Sequence, residues 1–174
     1  KFNQESDLKK INENNAAVIL ETIQGGAGFV EPQNNYLKKV KKRCCEVGSL
    51  LILDEIQPGF GRTGKMFGFE NYGISPDIVV MGKALGGGLP IGAFYSSSSL
   101  MKKLEINPRL GHITTFGGNP VVAASALATL SEIEESEIIK TVKYKENLFR
   151  TKLTNPKIKN IQGVGLMLAL IFED

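Results

Sequence analysis

The chain has few of the side chains from which disulfides and metal sites are built. Its 174 residues include two cysteines, Cys44 and Cys45, and a single histidine, His112. Neighbouring residues on a helix point in different directions, so a disulfide between the two cysteines is not expected. No metal-ligand spacing surrounds them. The composition therefore argues against a zinc site and indicates a reducing, cytoplasmic compartment.

The chain also lacks a strong charge of either sign. Its 21 Lys and Arg residues against 18 Asp and Glu residues give a formal net charge of +3 at pH 7. That charge is too small to indicate nucleic-acid binding. The most basic stretch, residues 38–43, has only Tyr36 as a nearby aromatic, so we interpret it as the solvated face of a helix. We expect no nucleic-acid partner.

Long hydrophobic runs are missing as well. The longest one, GVGLMLALIF at 163–172, is too short for a membrane-spanning helix, which needs about 20 apolar residues. No signal peptide is visible, and we expect no membrane partner. The chain also starts and stops in the middle of recognisable units, so we expect it to be a central slice of a larger protein.

Short apolar runs alternate with helical patterns along the chain. The runs are continuous rather than alternating in polarity, which indicates strands covered on both faces, as in a mostly parallel sheet of an α/β protein. Asn119 and Pro120 have the residue types of a helix cap and a first helical turn. Strands are predicted at 16–21, 49–55, 77–82, 91–97 and 163–172, and helices at 34–48, from 120 onward and near 137–153.

Two residues at the ends of predicted strands have side chains suited to catalysis. Asp54 ends the second strand, at the edge where open α/β sheets place ligand-binding groups. Lys83 follows the third strand, where removal from water would make its amine a better nucleophile. An amine can form an imine with an aldehyde cofactor, and a carboxylate can keep a ring nitrogen protonated, so the pair indicates pyridoxal phosphate chemistry. The alternatives are that Asp54 caps a turn and that Lys83 is an exposed strand-end lysine.

Two glycine-containing segments are candidate phosphate sites. Residues 59–65, GFGRTGK, have the spacing of a P-loop, but Met66 stands where Ser or Thr should hold magnesium. A P-loop nucleotide binder is therefore disfavoured. Thr114 and Thr115 precede a glycine pair and the predicted helix start, which is a suitable phosphate site.

Three segments in this order resemble the class III aminotransferases: LILDEIQPGFGRTG at 51–64, PDIVVMGKALGGGLPIGAF at 76–94 and TTFGGNP at 114–120. These are fold-type-I pyridoxal 5'-phosphate enzymes such as ornithine, acetylornithine and 4-aminobutyrate aminotransferases. The resemblance implies the α/β large domain of that fold over residues 1–136, with a mixed, mostly parallel sheet between helices. It also implies the start of a small C-terminal α+β domain over 137–174.

The resemblance implies a role for each of five residues. Lys83 would carry the Schiff base with pyridoxal 5'-phosphate and shuttle the substrate proton. Asp54 would pair with the pyridine nitrogen, and Gln57 would lie near the ring hydroxyl. Thr115 would bind the cofactor phosphate from the neighbouring subunit of a homodimer with shared active sites. Glu21, in ETIQGGAGF, matches the glutamate of the family's EPIQGEAG and would organise the site.

The chain departs from the family pattern at two positions. Thr22 replaces the usual proline, which we expect to be tolerated. Gly26 replaces a glutamate that helps ornithine and 4-aminobutyrate aminotransferases to accept both ω-amines and α-amino acids. The amino donor therefore cannot be copied from those enzymes.

The reaction implied by the resemblance moves an amino group from an amino acid or ω-amine to a 2-oxo acid, with 2-oxoglutarate expected. A glutamate-1-semialdehyde-type aminomutase shares a similar glycine loop, and a non-catalytic relative of the fold is a further alternative. Parts of the family's pocket normally lie upstream and downstream of these motifs. We therefore expect the 174-residue chain alone to have no aminotransferase activity.

Overall fold

The computed structural model describes residues 1–106, 109 and 111–172, and its larger sheet has four strands. Their order is β1-β2-β3-β4, with β1 parallel to β2, β2 parallel to β3, and β3 antiparallel to β4. The sheet is thus mixed and mostly parallel, as predicted. The strands are β1 (Ala17–Glu21), β2 (Leu50–Asp54), β3 (Ile78–Gly82) and β4 (Gly92–Ser96).

Helix α1 (Tyr36–Val47) covers one face of this sheet. Its buried residues are spaced three and four apart, so they form one stripe that packs on the buried side chains of β2 and β3. Each large apolar side chain buried there contributes about 1.5–3 kcal/mol. Gly48 ends the helix in the left-handed conformation, with φ of 74°. The core cluster consists of Tyr36, Leu37, Val40, Cys44, Leu51, Leu53, Phe69 and Val79.

The prediction that both faces of the sheet are covered is not met within the described residues. On the face opposite α1, Ile19 is 65% exposed and Phe94 is 44% exposed. Ile52 and Ile78 lie beside Ile19 in register on this same face. A continuous apolar run indicates that both faces of a strand are suited to burial. It does not show which other segment covers each face.

Five α-helices lie within the described residues. After α1 come the short helices α2 (Ser98–Met101) and α3 (Lys103–Ile106), then α4 (Pro120–Glu135) and α5 (Val142–Lys152). The predicted cap of α4 is confirmed, because Asn119 Oδ1 accepts hydrogen bonds from the amides of Val121 (3.0 Å) and Val122 (3.3 Å). Across residues 1–106 and 111–172, no helix has the length and apolar character that a membrane span requires.

The prediction of one strand over 163–172 is wrong. The run contains the end of β5 (Ile158–Val164), a two-residue turn and all of β6 (Met167–Phe172), and Val164 pairs with Met167 to form a hairpin. Gly165, at the first turn position, has φ of +61°, a conformation that glycine adopts without strain. An apolar run of this length does not reveal which glycine reverses the chain.

The hairpin packs onto the loop that follows β2. The amide of Leu166 donates to the carbonyl of Arg62 at 2.8 Å. Gln162 Nε2 donates to the carbonyl of Gly28 at 2.6 Å. The hairpin turn is thus held beside two segments that are distant in sequence.

Replacing Gly165 by alanine is expected to destabilise the protein by about 2–4 kcal/mol. A Cβ there would lie 2.6 Å from the Arg62 carbonyl oxygen, in addition to the cost of a positive φ. The measurement is urea unfolding of the full-length protein. Gly26→Ala is the matched control, because a Cβ at Gly26 would meet nothing within 4 Å. An equal loss of unfolding free energy in the two variants would contradict the close docking of this turn.

Candidate active site

Three of the predicted site residues lie at the carboxyl edge of the parallel strands. Glu21 and Asp54 are register partners at the ends of β1 and β2. Asp54 is also paired with Val80 in β3, the strand that Lys83 follows directly. Because the carboxyl ends of parallel strands share one edge, Glu21, Asp54 and Lys83 come to the same end of the sheet.

Gln57 joins this group through the segment that follows β1. Glu21 Oε2 accepts a hydrogen bond from the amide of Gly25 at 2.8 Å. A Cβ built on Gly25 would lie 2.3 Å from Gln57 Oε1, so the Gln57 amide packs directly against this glycine. The Glu21 and Gln57 side chains therefore flank one point of the backbone, beside Asp54.

The Asp54 carboxylate has a local partner. Its Oδ1 accepts a hydrogen bond from the amide of Ile56 at 2.9 Å, which is the turn-capping contact considered as the alternative for this residue. The contact holds the carboxylate at the strand end. It engages one of the two carboxylate oxygens, and a second oxygen can still meet a ligand.

Lys83 and Gln57 line the same cavity, which has a volume of about 300 Å³. Two lining residues other than glycine have positive φ, Phe29 at 58° and Lys83 at 43°. Such conformations cost free energy and cluster at functional sites. The remaining lining residues are Ile56, Arg62, Ala84, Leu166 and Met167.

The expectation that Lys83 is removed from water is not met in the described chain. Lys83 begins the 3-10 helix Lys83–Gly86 at the cavity rim, and its side chain is exposed. This short helix is supported by α4, since Ser125 Oγ donates to the carbonyl of Gly86 at 2.8 Å. The lysine backbone is therefore held, while the residue lines the cavity and is exposed.

Thr115 lies in a different place. Residues 111–119 are all exposed. Thr114 and Phe116 line a separate cavity of about 510 Å³ beside the start of α4, and Thr115 lines neither this cavity nor the one that contains Lys83. Within the described chain, the structure does not bring Thr115 to Lys83.

The segment considered as a P-loop is not followed directly by an α-helix. It is followed by the 3-10 helix Gly68–Tyr72, which has five residues. The amides of Gly68 and Phe69 at its start already donate to the carboxylate of Glu55, at 2.7 Å and 3.0 Å. A phosphate could not take the same amides, so the geometry opposes the nucleotide-binding alternative.

Glu55 is a neighbour of the site to which the sequence pattern assigns no role. Its side chain is 0% exposed, and it also accepts a hydrogen bond from Thr22 Oγ1. Burial raises the pKa of the Glu55 carboxyl, and the three hydrogen bonds partly oppose that rise. The only signal in the sequence was an acidic pair at the end of an apolar strand. Phe29, Arg62, Leu166 and Met167, which line the Lys83 cavity, were not assigned either.

Comparison with known proteins identifies relatives of this chain. The family described as aminotransferase class III matches residues 2–174. A putrescine aminotransferase from Pectobacterium atrosepticum is 45% identical over 177 residues, covering 98% of the chain and 38% of that protein. A LysW-aminoadipate semialdehyde/glutamate semialdehyde transaminase from Sulfurisphaera tokodaii is 37% identical, covering 97% of the chain and 44% of that protein. The chain thus spans less than half the length of these relatives.

Solved structures give the same result for the fold. An ornithine aminotransferase from Toxoplasma gondii superimposes with a TM-score of 0.90 at 32% identity, covering 99% of the chain and 42% of that protein. In that crystal structure, PLP partially occupies the active site. An ornithine aminotransferase from Plasmodium yoelii gives a TM-score of 0.82 at 35% identity, covering 97% of the chain and 45% of that protein.

Proposed function

Because the chain belongs to the class III aminotransferases, we propose that it forms the lysine-bearing part of a pyridoxal 5'-phosphate-dependent aminotransferase. The observation that carries the proposal is the shared cavity of Lys83 and Gln57, beside the strand ends that present Asp54 and Glu21. A nucleophilic amine, an amide and a carboxylate are the groups that an aldehyde-bearing pyridine requires.

The residues present fit the ring end of this cofactor. Lys83 Nζ would bind the aldehyde carbon, the Asp54 carboxylate would hold a proton on the ring nitrogen, and Gln57 would donate to the ring oxygen. When bound, the cofactor supplies an electron sink for the substrate carbon. Lys83 Nζ, once released, would take the proton from that carbon and deliver it to the cofactor carbon that had been the aldehyde carbon.

The phosphate end requires a group from elsewhere. Thr115 is exposed and does not line the Lys83 cavity of its own chain. We therefore propose a homodimer in which Thr115 binds the cofactor phosphate of the neighbouring subunit. Exposure of the apolar Phe116, at 83%, supports contact between this segment and a partner.

The reaction is proposed to move an amino group from an amino acid or ω-amine to a 2-oxo acid, with 2-oxoglutarate as the acceptor. The relatives named above differ in the compounds that their names give, putrescine in one and LysW-aminoadipate semialdehyde or glutamate semialdehyde in the other. We assign residues 1–136 to the cofactor-binding large domain and 137–174 to the start of a small domain, a division supported by the two separate sheets. The unpaired Cys44 and Cys45 support a cytoplasmic location.

The test uses the full-length protein loaded with pyridoxal 5'-phosphate. Borohydride reduction followed by peptide mapping is expected to find the cofactor attached to Lys83, and amino exchange is expected to need an external 2-oxo acid. Exchange without any oxo acid would favour an aminomutase. A protein with no visible cofactor absorbance, or with the label on another lysine, would overturn the proposal.

Gly26→Glu is expected to change the donor preference without unfolding the protein. A Cβ at Gly26 meets nothing within 4 Å, so we expect the unfolding free energy to change by less than about 0.5 kcal/mol. The added carboxylate should change the ratio of kcat/KM for an ω-amine to that for an α-amino acid by up to about fivefold, since Gly26 is exposed and an exposed ion pair contributes at most about 1 kcal/mol. Gly26→Gln is the control for size without charge. Equal ratios in the two variants would contradict a role for charge at this position.

A further inference from the structure

The Glu55 carboxylate connects three segments that meet behind the candidate site. It accepts hydrogen bonds from Thr22 after β1 and from the Gly68 and Phe69 amides at the start of the 3-10 helix. The Glu55 amide itself donates to the carbonyl of Val80 in β3 at 2.9 Å. We call Thr22, Glu55, Gly68 and Phe69 the Glu55 bracket. All of its polar contacts lie within a buried region.

The bracket is one residue away from the pair that faces the site. Glu21 and Asp54 are register partners, and Thr22 and Glu55 are the next residues on the same two chains. Successive side chains of a strand point to opposite faces. The bracket therefore lies on the buried side of the Glu21–Asp54 pair. It connects the ends of β1 and β2 next to Asp54, whose orientation depends on the position of these strand ends.

Thr22 is a departure from the family pattern. The family pattern quoted above has proline at the position of Thr22, and a proline has neither a hydroxyl nor a backbone N–H to donate. Here Thr22 is 0% exposed, and its hydroxyl donates to a carboxylate that is itself 0% exposed. A charge-assisted hydrogen bond in a buried place is stronger than a neutral one.

We propose that Thr22 and Glu55 are positioning residues, which hold Asp54 at the distance from the cofactor ring that binding requires. The inference rests on the proposed function. Neither residue needs to touch the cofactor. Loss of the Thr22 hydroxyl would let the ends of β1 and β2 move relative to each other, and the contact between Asp54 and the ring nitrogen would weaken.

The experiment compares Thr22→Val with Thr22→Ser in the full-length protein. Valine keeps the volume and removes the hydroxyl, whereas serine keeps the hydroxyl. The readouts are the dissociation constant of pyridoxal 5'-phosphate from absorbance titration, the position of the visible absorbance band, and the unfolding midpoint of the cofactor-free protein. We expect about tenfold weaker cofactor binding and a shifted band in Thr22→Val, and binding within about twofold of the parent in Thr22→Ser.

Glu55→Gln provides a second variant, because it keeps the shape and one acceptor while it removes the charge. It is expected to weaken cofactor binding by at least the same factor as Thr22→Val. If Thr22→Val lowers the unfolding midpoint but binds the cofactor as Thr22→Ser does, with the same band, the bracket is only structural and the inference is wrong. If the parent protein itself fails to bind the cofactor at Lys83, the proposed function fails, and this inference fails with it.

Discussion

Replacing Lys83 by alanine is expected to reduce amino transfer by at least about 10⁴-fold in the full-length protein. The variant loses both the amine that would bind the cofactor aldehyde and the group that would carry the substrate proton, and proton transfer alone contributes about 10²–10⁴-fold. Stability should change little, because the Lys83 side chain is exposed. The substitution by alanine also removes no side chain from the hydrophobic core. The measurement is single-turnover kinetics with a saturating amino donor.

The control for this loss is Lys65→Ala. Lys65 is an exposed lysine on the loop after β2, and it would be the essential lysine if the segment 59–65 bound a nucleotide phosphate. Lys65→Ala should retain parental transfer rates and covalent attachment of the cofactor after borohydride reduction. If Lys65→Ala lost activity while Lys83→Ala kept it, the site assignment would be reversed.

Replacing Asp54 by asparagine is expected to lower kcat/KM by about 10²–10³-fold, which corresponds to about 2.7–4 kcal/mol of lost electrostatic stabilisation. Asparagine preserves the size of the side chain and can still accept the hydrogen bond from the Ile56 amide, so the turn should survive. What is lost is the negative charge that would keep the ring nitrogen protonated. Without that proton, the ring withdraws electrons less effectively from the substrate carbon.

Two comparisons separate this effect from a loss of fold. Glu46→Gln removes a carboxylate from the solvated face of α1, where its ion pairs with Lys42 and Arg43 are exposed and contribute little. It should retain full activity. Asp54→Asn should also bind the cofactor with a changed visible spectrum, since the protonation of the ring affects the absorbance. An Asp54→Asn protein with parental kcat/KM would mean that Asp54 serves only as the turn cap.

The elements of the large sheet could be predicted from local patterns. Each apolar run at 16–21, 49–55, 77–82 and 91–97 contains a strand within a residue or two of the predicted bounds, and Asn119 caps α4 as its residue type indicated. Local rules succeed there because strand and cap preferences depend on neighbours in the chain. The positions of Asp54 and Lys83 could be predicted for the same reason, since Asp54 ends β2 and Lys83 directly follows β3.

The hairpin near the C-terminus shows where local patterns fail. The run 163–172 is apolar throughout, so nothing in its hydrophobicity shows that β5 ends at Val164 and that a new strand begins at Met167. The position of the turn is stabilised by two contacts with the loop after β2. The Leu166 amide donates to the Arg62 carbonyl, and Gly165 fits against that loop because it has no side chain. Those partners are distant in sequence, and the hairpin brings Leu166 and Met167 into the lining of the Lys83 cavity.

The sequence by itself determined which residues are the candidates for the proposed site and which sheet carries them. Only the tertiary structure decided how that chemistry is arranged: Gln57 beside Lys83 in one cavity, Thr115 outside it, and Glu55 buried against Thr22. The physical reason is that residue type and periodicity act over a few neighbours, whereas a contact such as that between Gln162 and Gly28 spans 134 positions. Such contacts form only when separate segments pack together and bury their polar groups in pairs.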